Sequence, residues 1–402
     1  MLKRERYLNW LIKAKDTDFV KVITGVRRSG KSVILRQYHL FLEEVNVNKD
    51  NILYYNFEEP KNYHLNNYLS LYEDIKVRLS MIEGKVYFLF DEIQEVEDWQ
   101  KLVNGLRVEF DCDITITGSN ANLLSGELAT YLAGRYIKMN VYPLSFKEVV
   151  TYKLDNTKES NDKLDKLFDE YLEYGGFPSL LTINDHHLKN DILSGNYNSI
   201  LIRDVATRGQ IRDIRTLNKL VEYLMDVIGS AVSINSIVNT FKSERLSVSN
   251  PTINNYVDLL MQSYIFYEAN QYDIRGKKRL KTNSKYYVVD TGLRNNILKR
   301  VNNLGSQLEN IIYIELKRRG YDVYVGDING SEVDFVAFKQ DQIEYIQVTY
   351  HMPKDDDREQ RNLKHIKDNY KKTIITLNRM DVGSIEGIEV VHAIDWLMNT
   401  PL

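Results

Sequence analysis

The stretch GVRRSGKS at 25–32 constrains this chain more than any other eight residues in it. It joins an apolar β-rich run, FVKVITG (19–25), to an amphipathic helical pattern, VILRQYHLFLEEV (33–45). Gly25, Gly30, Lys31 and Ser32 meet the pattern GxxxxGK[ST]. The glycines let the backbone turn so that its N–H groups face phosphate oxygens, and the helix that follows presents its positive end to them. Lys31 is placed to neutralise β- and γ-phosphates and Ser32 to hold Mg²⁺. Arg28, Ser29 and Val33 complete the loop and the first helical turn around the phosphates. Arg27 and Arg28 are unusual additions there, and the sequence does not choose which of them touches phosphate.

Three further β-rich runs follow: ILYYNF (52–57), KVYFLFDEI (85–93) and ITITGSN (114–120). They alternate with helical patterns, and each ends in polar residues. Alternation of this kind predicts a mainly parallel sheet with helices on both faces and ligands at the carboxyl ends of the strands. The run at 85–93 is apolar until Asp91 and Glu92, 60 residues after Lys31. A buried strand that delivers a carboxylate toward a metal needs this arrangement; Asp91 supplies the carboxylate, and Glu92 is placed to orient or deprotonate an attacking water. At 117–120, TGSN closes the next strand. Asn120 is the first choice, and Ser119 the second, for a contact with a γ-phosphate or that water; both are also ordinary turn formers.

Length and composition bound the remainder. At 402 residues the chain is expected to hold two to four domains, and 53 Lys+Arg against 56 Asp+Glu leave a formal charge of −3. No apolar run approaches ~18 residues, which excludes an ordinary transmembrane helix. Charges scattered through the first 18 residues argue against a secretory signal. The single cysteine, Cys112, excludes an internal disulfide and a Cys-based zinc cluster. The expectation is a soluble, cytoplasmic protein that does not engage membranes. The histidines lack ligand spacing: His186 and His187 are adjacent in a polar stretch read as loop, and His351, His365 and His392 stand apart.

Residues 146–230 read as mostly helical, broken by YGGFP at 174–178. Residues 231–300 read as a helix-turn-helix, SINSIVNTF then PTINNYVDLLMQS with Ser249 as N-cap, followed by wing strands IFYEANQYDI and KYYVVD. Residues 301–402 open with the helix QLENIIYIELKRRG, then strands at YDVYVG, EVDFVAF, EYIQVTY and TIITL.

The segments GVRRSGKS, VYFLFDEIQ, ITITGSNANLLSGELATYLAGRY and VYPLSFKEVV resemble the ATPase core of AAA+ proteins of the prokaryotic, STAND-like branch, in which the core is fused to a C-terminal domain of unknown function. YLEYGGFPSLL, ILIRDVATR, KYYVVDTGLRNN and SQLENIIYIELKRRGYDVYVG fit the same architecture. The resemblance implies a P-loop three-layer αβα ATPase core (1–145), a helical lid (146–230), a winged-helix-like domain with a basic wing (231–300) and an α/β nuclease-like domain (301–402). It implies ATP and Mg²⁺ as cofactors. Lys31 and Ser32 become the Walker A pair, Asp91 and Glu92 the Walker B pair, and Asn120 the sensor that, with Arg135, stabilises charge at the γ-phosphate. Arg135 in LAGRY resembles an arginine finger, which usually reaches a neighbouring subunit and so implies a homo-oligomer; a salt bridge within the core is the alternative. Pro178 in GGFP resembles a lid proline near the adenine, and a plain turn explains it almost as well.

The C-terminal residues carry two more expectations. Glu309 on a helix, Asp334 in EVDF and the strand IQVT follow the order of a PD-(D/E)XK nuclease, but Gln347 stands where a glutamate would bind metal and Thr349 where a lysine would stand. A degenerate site is therefore expected, with Glu332 beside Asp334 on one strand face. Residues 271–300 hold nine Lys/Arg against two Asp, a net +7. Arg275, Lys277, Lys278, Arg279 and Lys281 in that segment are candidate contacts to double-stranded DNA. The residues of the second helix left outward are poor base readers, with Asp258 repelling phosphate. Three readings follow: a Mg²⁺-dependent ATPase acting as a switch or motor on DNA, a slow STAND-like signalling or scaffold switch with a protein partner, and an ATP-dependent nuclease.

Overall fold

The computed structural model describes residues 2–124, 132, 134–154, 160–353 and 357–399. Most of the GELATYLAG stretch and the start of the charged segment near 355 lie outside the described residues. The chain divides into two compact units, one built from residues 1–142 with 262–264, the other from 143–261 with 265–401.

The first unit contains a five-stranded, all-parallel sheet: β1 (Val20–Thr24), β2 (Ile52–Asn56), β3 (Val86–Asp91), β4 (Cys112–Gly118) and β5 (Tyr136–Asn140), in the order β2-β3-β4-β1-β5. Every residue of β1 and β3 is buried, as parallel strands covered on both faces require. One face carries helices Glu5–Ala14 and Lys31–Glu44, packing Leu8, Leu11, Ile34, Leu35 and Tyr38 against Ile23 and Leu89. The other carries helices Tyr68–Leu79 and Trp99–Glu109, packing Leu71, Ile75, Trp99, Leu102 and Leu106 against Val22, Phe88 and Ile116. This is the three-layer arrangement expected from the sequence, with β5 added. YIKMN was not among the strands read from sequence, because only Met139 in it is fully buried and its apolar signal is weak. β4 lies between β1 and β3, so the carboxyl end of β4 stands between the phosphate loop and Asp91.

The second unit begins with helices Phe146–Leu154, Asn161–Tyr174 and His186–Asn198, a π-helical stretch Ser199–Thr207 and helix Ile214–Asp226. His186 opens a helix rather than sitting in a loop, since Asp185 caps it by accepting from Leu188 N. Helices Ile234–Ser243 and Asn250–Gln262 follow as expected, and Ser249 Oγ accepts from Thr252 N. The unit also holds a nine-stranded sheet: β6 (Ala231–Val232), β7 (Phe266–Asp273), β8 (Lys278–Val288), β9 (Asp322–Ile328), β10 (Ser331–Lys339), β11 (Gln342–Thr349), β12 (Lys371–Thr376), β13 (Gly383–Ile385) and β14 (Ile388–His392). The strands expected as a wing do form the hairpin β7–β8. Residues 271–273 of β7 also pair in parallel with 325–327 of β9. The hairpin is thereby one margin of the same sheet that contains the C-terminal strands.

The YGGFP break has a packing cause. Gly175 has φ +74, and a Cβ there would lie 1.9 Å from Asp290 Oδ1; a Cβ on Gly176 would lie 2.2 Å from Leu144 O. Asp290 caps helix Thr291–Leu298 and accepts from Gly176 N at 2.7 Å and Gly292 N at 3.0 Å. In that short helix, Arg294 donates to Met225 O, Asn295 to Leu172 O and Asn296 to Asn190 O. A buried polar helix thus bonds to backbone carbonyls of three others, two of which, Leu172 O and Met225 O, belong to last helical turns that apolar packing alone would leave unpaired.

Candidate functional site

The phosphate-loop region is built on the carboxyl ends of β1, β3 and β4. Gly25 leaves β1 at φ +142, and a Cβ there would sit 2.1 Å from Val141 O. No other residue fits that approach. Arg28 takes φ +65 and Gly30 φ +100, closing the loop before helix Lys31–Glu44 begins. Arg27 pairs with Glu58. From the N-terminal segment, Arg4 donates to Ser29 O at 2.9 Å and Tyr142 O at 3.0 Å, fixing the loop from behind. Ser29 is fully buried, and its hydroxyl has no hydrogen-bond partner among the described residues.

Lys31 is buried, donating to Gly25 O and Val26 O at 3.2 Å each, with Glu92 Oε1 at 3.5 Å. Ser32 Oγ donates to Asp91 Oδ1 at 3.1 Å. Thr117 Oγ1 donates to the same oxygen at 2.6 Å and accepts from Glu92 N at 2.9 Å, while Tyr54 O–H donates to Asp91 Oδ2 at 3.1 Å. Burial pushes the Asp91 carboxyl above its ordinary range, the Thr117 hydrogen bond pulls it down, and neighbouring Glu92 pushes it up again. Glu92 adopts φ 56, ψ 49 and receives a hydrogen bond from Gln94 Nε2. This left-handed turn aims its carboxylate toward Lys31 instead of continuing the strand.

The structure therefore brings Gly25, Arg28, Ser29, Gly30, Lys31, Ser32, Val33, Asp91 and Glu92 together. Asn120 and Ser119 lie just beyond the end of β4, both buried, and Gly118 pairs with Thr24 at the mouth of the loop. Sequence reasoning missed Thr117, Tyr54 and Arg4. Thr117 could have been found from strand order, because the central position of β4 puts its last inward hydroxyl against the acidic end of β3. Arg135 is not brought to this site. It precedes β5, and its carbonyl accepts from Val20 N at 3.1 Å, at the opposite ends of the strands. Five residues of strand, ~16 Å, separate it from the loop of its own chain. Its side chain is exposed and lines a cleft of about 610 Å³ with Arg107, Asp18 and Asp111. Pro178 lies in the second unit, half-buried, opening a single 3₁₀ turn, Pro178–Leu180.

Comparison with known proteins bears on the fold of the unit that carries this site. Residues 17–150 match an AAA domain, and residues 165–304 match a domain of unknown function, DUF8612. An uncharacterized protein of Haemophilus influenzae is 49% identical over 399 residues, 99% of each chain. The chain belongs to that protein's family. The uncharacterized protein MJ1544 of Methanocaldococcus jannaschii is 35% identical over 394 residues, 94% of this chain and 86% of the relative. The Walker-type ATPase PABY2304 of Pyrococcus abyssi shares the fold, with TM-score 0.52 and 14% identity over 74% of this chain and 96% of that one. The first unit is an AAA-type P-loop domain, and no helix among the described residues is long and apolar enough to cross a membrane.

In the second unit the expected C-terminal acids do converge. Glu309, on helix Leu304–Arg318, accepts from Tyr287 O–H at 2.6 Å and from Lys285 Nζ at 3.1 Å. Asp334 on β10 accepts from Val348 N at 2.7 Å, and Gln347 Oε1 accepts from Asp334 N at 3.4 Å. Burial drives the carboxyls of Glu309 and Asp334 upward, and Lys285 opposes this at both. No group of three or more His, Cys, Asp or Glu disposed to hold a metal ion occurs among the described residues.

The net +7 of segment 271–300 does not all face solvent. Lys285 and Arg294 are buried, and Arg300 pairs with Asp226. Arg275, Lys277, Lys278 and Arg279 are exposed around the tip of the β7–β8 hairpin. Arg275 donates to Asn329 Oδ1 at 2.8 Å, and Arg279 lies 4.8 Å from the centre of the Tyr324 ring. The side chain of Lys281 lies outside the described residues.

Proposed function

We propose that this protein is a Mg²⁺-dependent ATPase that works as a nucleotide-driven switch on DNA. The observation that carries the reading is the convergence of Lys31, Ser32, Asp91, Thr117 and Glu92 at three adjoining strand ends. Loop amides and Lys31 bind the triphosphate, and the ammonium moves from the carbonyls of Gly25 and Val26 to phosphate oxygens. The oxygen donors Ser32 and Asp91 suit a hard cation, which supplies charge neutralisation between the phosphates when bound. Thr117 holds Asp91 in place, and Glu92 orients and deprotonates the attacking water. Asn120 contacts the γ-phosphate. Arg135 serves a neighbouring copy's nucleotide in a homo-oligomer, since its own loop is out of reach.

The DNA part rests on the four exposed cations at the hairpin tip, which would contact phosphate rather than base edges. A second reading, a slow switch with a protein partner, is favoured by the pairing of β7 with β9, which anchors the hairpin within a sheet. Steady-state ATP turnover with Mg²⁺, with and without duplex DNA at low salt, separates the two. DNA-stimulated turnover supports the first; slow turnover indifferent to DNA supports the second. Absence of nucleotide binding would sink both.

A further inference from the structure

The C-terminal carboxylate cluster is completed by a residue from outside the expected motif. Lys285 lies on β8, and its side chain is almost fully buried. Its Nζ stands 3.1 Å from Glu309 Oε1 and 2.5 Å from Glu332 Oε1. The buried Asp334 carboxylate is within electrostatic reach of the same ammonium. Three carboxylates from one helix and one strand therefore surround one internal positive charge.

The two positions that would complete a metal centre are engaged elsewhere. Gln347 gives its carbonyl oxygen to the backbone N–H of Asp334, and Thr349 donates its hydroxyl to His351 O at 2.9 Å. Gly229 lies beside the other carboxylate oxygen of Glu309, where a Cβ would come within 3.1 Å of Oε2. A divalent ion needs several oxygens at about 2.0–2.6 Å, and a second cation beside the ammonium would meet its repulsion at short range. An ammonium has three donors and no such coordination demand.

We propose that Lys285 is the resident cation of this cluster, holding Glu309, Glu332 and Asp334 together in place of a divalent metal. The acids that follow the nuclease order along the chain are thus paired with an internal ammonium. The inference is independent of the ATPase reading.

The test uses the full chain without nucleotide, followed by thermal unfolding with and without millimolar Mn²⁺. An Asp91→Asn background removes any response from the phosphate loop. The parent chain should show no Mn²⁺-dependent change in Tm. Lys285→Met, leaving buried carboxylates unpaired, should melt roughly 6–12 °C lower and regain part of that loss with Mn²⁺. Lys285→Met combined with Glu309→Gln should recover most of the loss and ignore Mn²⁺. If the single variant does not fold, the parent titration and the double variant still decide. A Mn²⁺-dependent rise in the parent, or plasmid cleavage with Mn²⁺ that is lost in Asp334→Ala, would overturn the proposal. So would a Lys285→Met protein that melts like the parent.

Discussion

Thr117→Val tests the site at the point where one hydroxyl joins the Asp91 carboxylate to the backbone N–H of Glu92. Valine keeps the β-branch of threonine and removes its hydroxyl. What is lost is the 2.6 Å hydrogen bond to Asp91 and the acceptor for Glu92 N–H. The first is charge-assisted, worth about 1.5–3 kcal/mol, and the second leaves a buried donor unsatisfied at about 1–3 kcal/mol. Thr117 is fully buried, so solvent does not replace either bond. Asp91 keeps Ser32 and Tyr54, which should hold the fold and leave nucleotide affinity nearly unchanged. Misplacement of Asp91 and Glu92 by a fraction of an ångström should lower kcat by about 10²-fold. The assay is steady-state ATP hydrolysis beside equilibrium binding of a fluorescent nucleotide, with Thr117→Ser as the conservative control. Serine should restore most of the rate. Wild-type turnover in Thr117→Val, or failure of serine to rescue, would refute the assignment.

Other outcomes follow from the same geometry. Glu92→Gln should bind ATP normally and lose turnover by at least about 10²-fold; normal hydrolysis would remove Glu92 from the role of base. Reversal of Lys277, Lys278 and Arg279 to Glu should weaken duplex DNA binding and flatten its salt dependence, read by fluorescence anisotropy, while leaving basal ATP turnover unchanged. Burial raises the Asp290 carboxyl from 3.8 to about 6. Its contribution to stability is therefore complete below about pH 4 and is lost as pH rises through 6, an effect of roughly 3 kcal/mol. Asp290→Asn should flatten the fall in Tm between those values; an unchanged slope would show that another group titrates there.

How much of this was legible in the sequence depends on how local each determinant is. Lys31, Ser32, Asp91 and Glu92 announced themselves because a loop of fixed length and an apolar run with an acidic end are contiguous patterns. Thr117 was not legible, because its importance comes from β4 lying between β1 and β3, a consequence of strand order. The glycines at 175–176 were visible as a helix break, yet the reason for them, the Asp290 carboxylate packed against their backbone, is more than a hundred residues away. Lys285 entered the sequence reading only as one of the nine Lys/Arg of the run 271–300, with nothing to set it apart from the others. Only the alternation along β8 and the position of helix Leu304–Arg318 turn that one side chain inward. The C-terminal acids were found by their order along the chain, while the cation that balances them follows no local spacing at all.

The pairing of β7 with β9 has a consequence for how this chain can change over evolutionary time. A recombination breakpoint near residue 300 would look harmless in a linear plot, since it falls between two helices. It would nevertheless strand Lys285 on one fragment and Glu309, Glu332 and Asp334 on the other, and strip β7 of its neighbour β9. Shuffling of the pieces on either side should therefore be selected against, and residues 143–399 should be inherited as a single cassette.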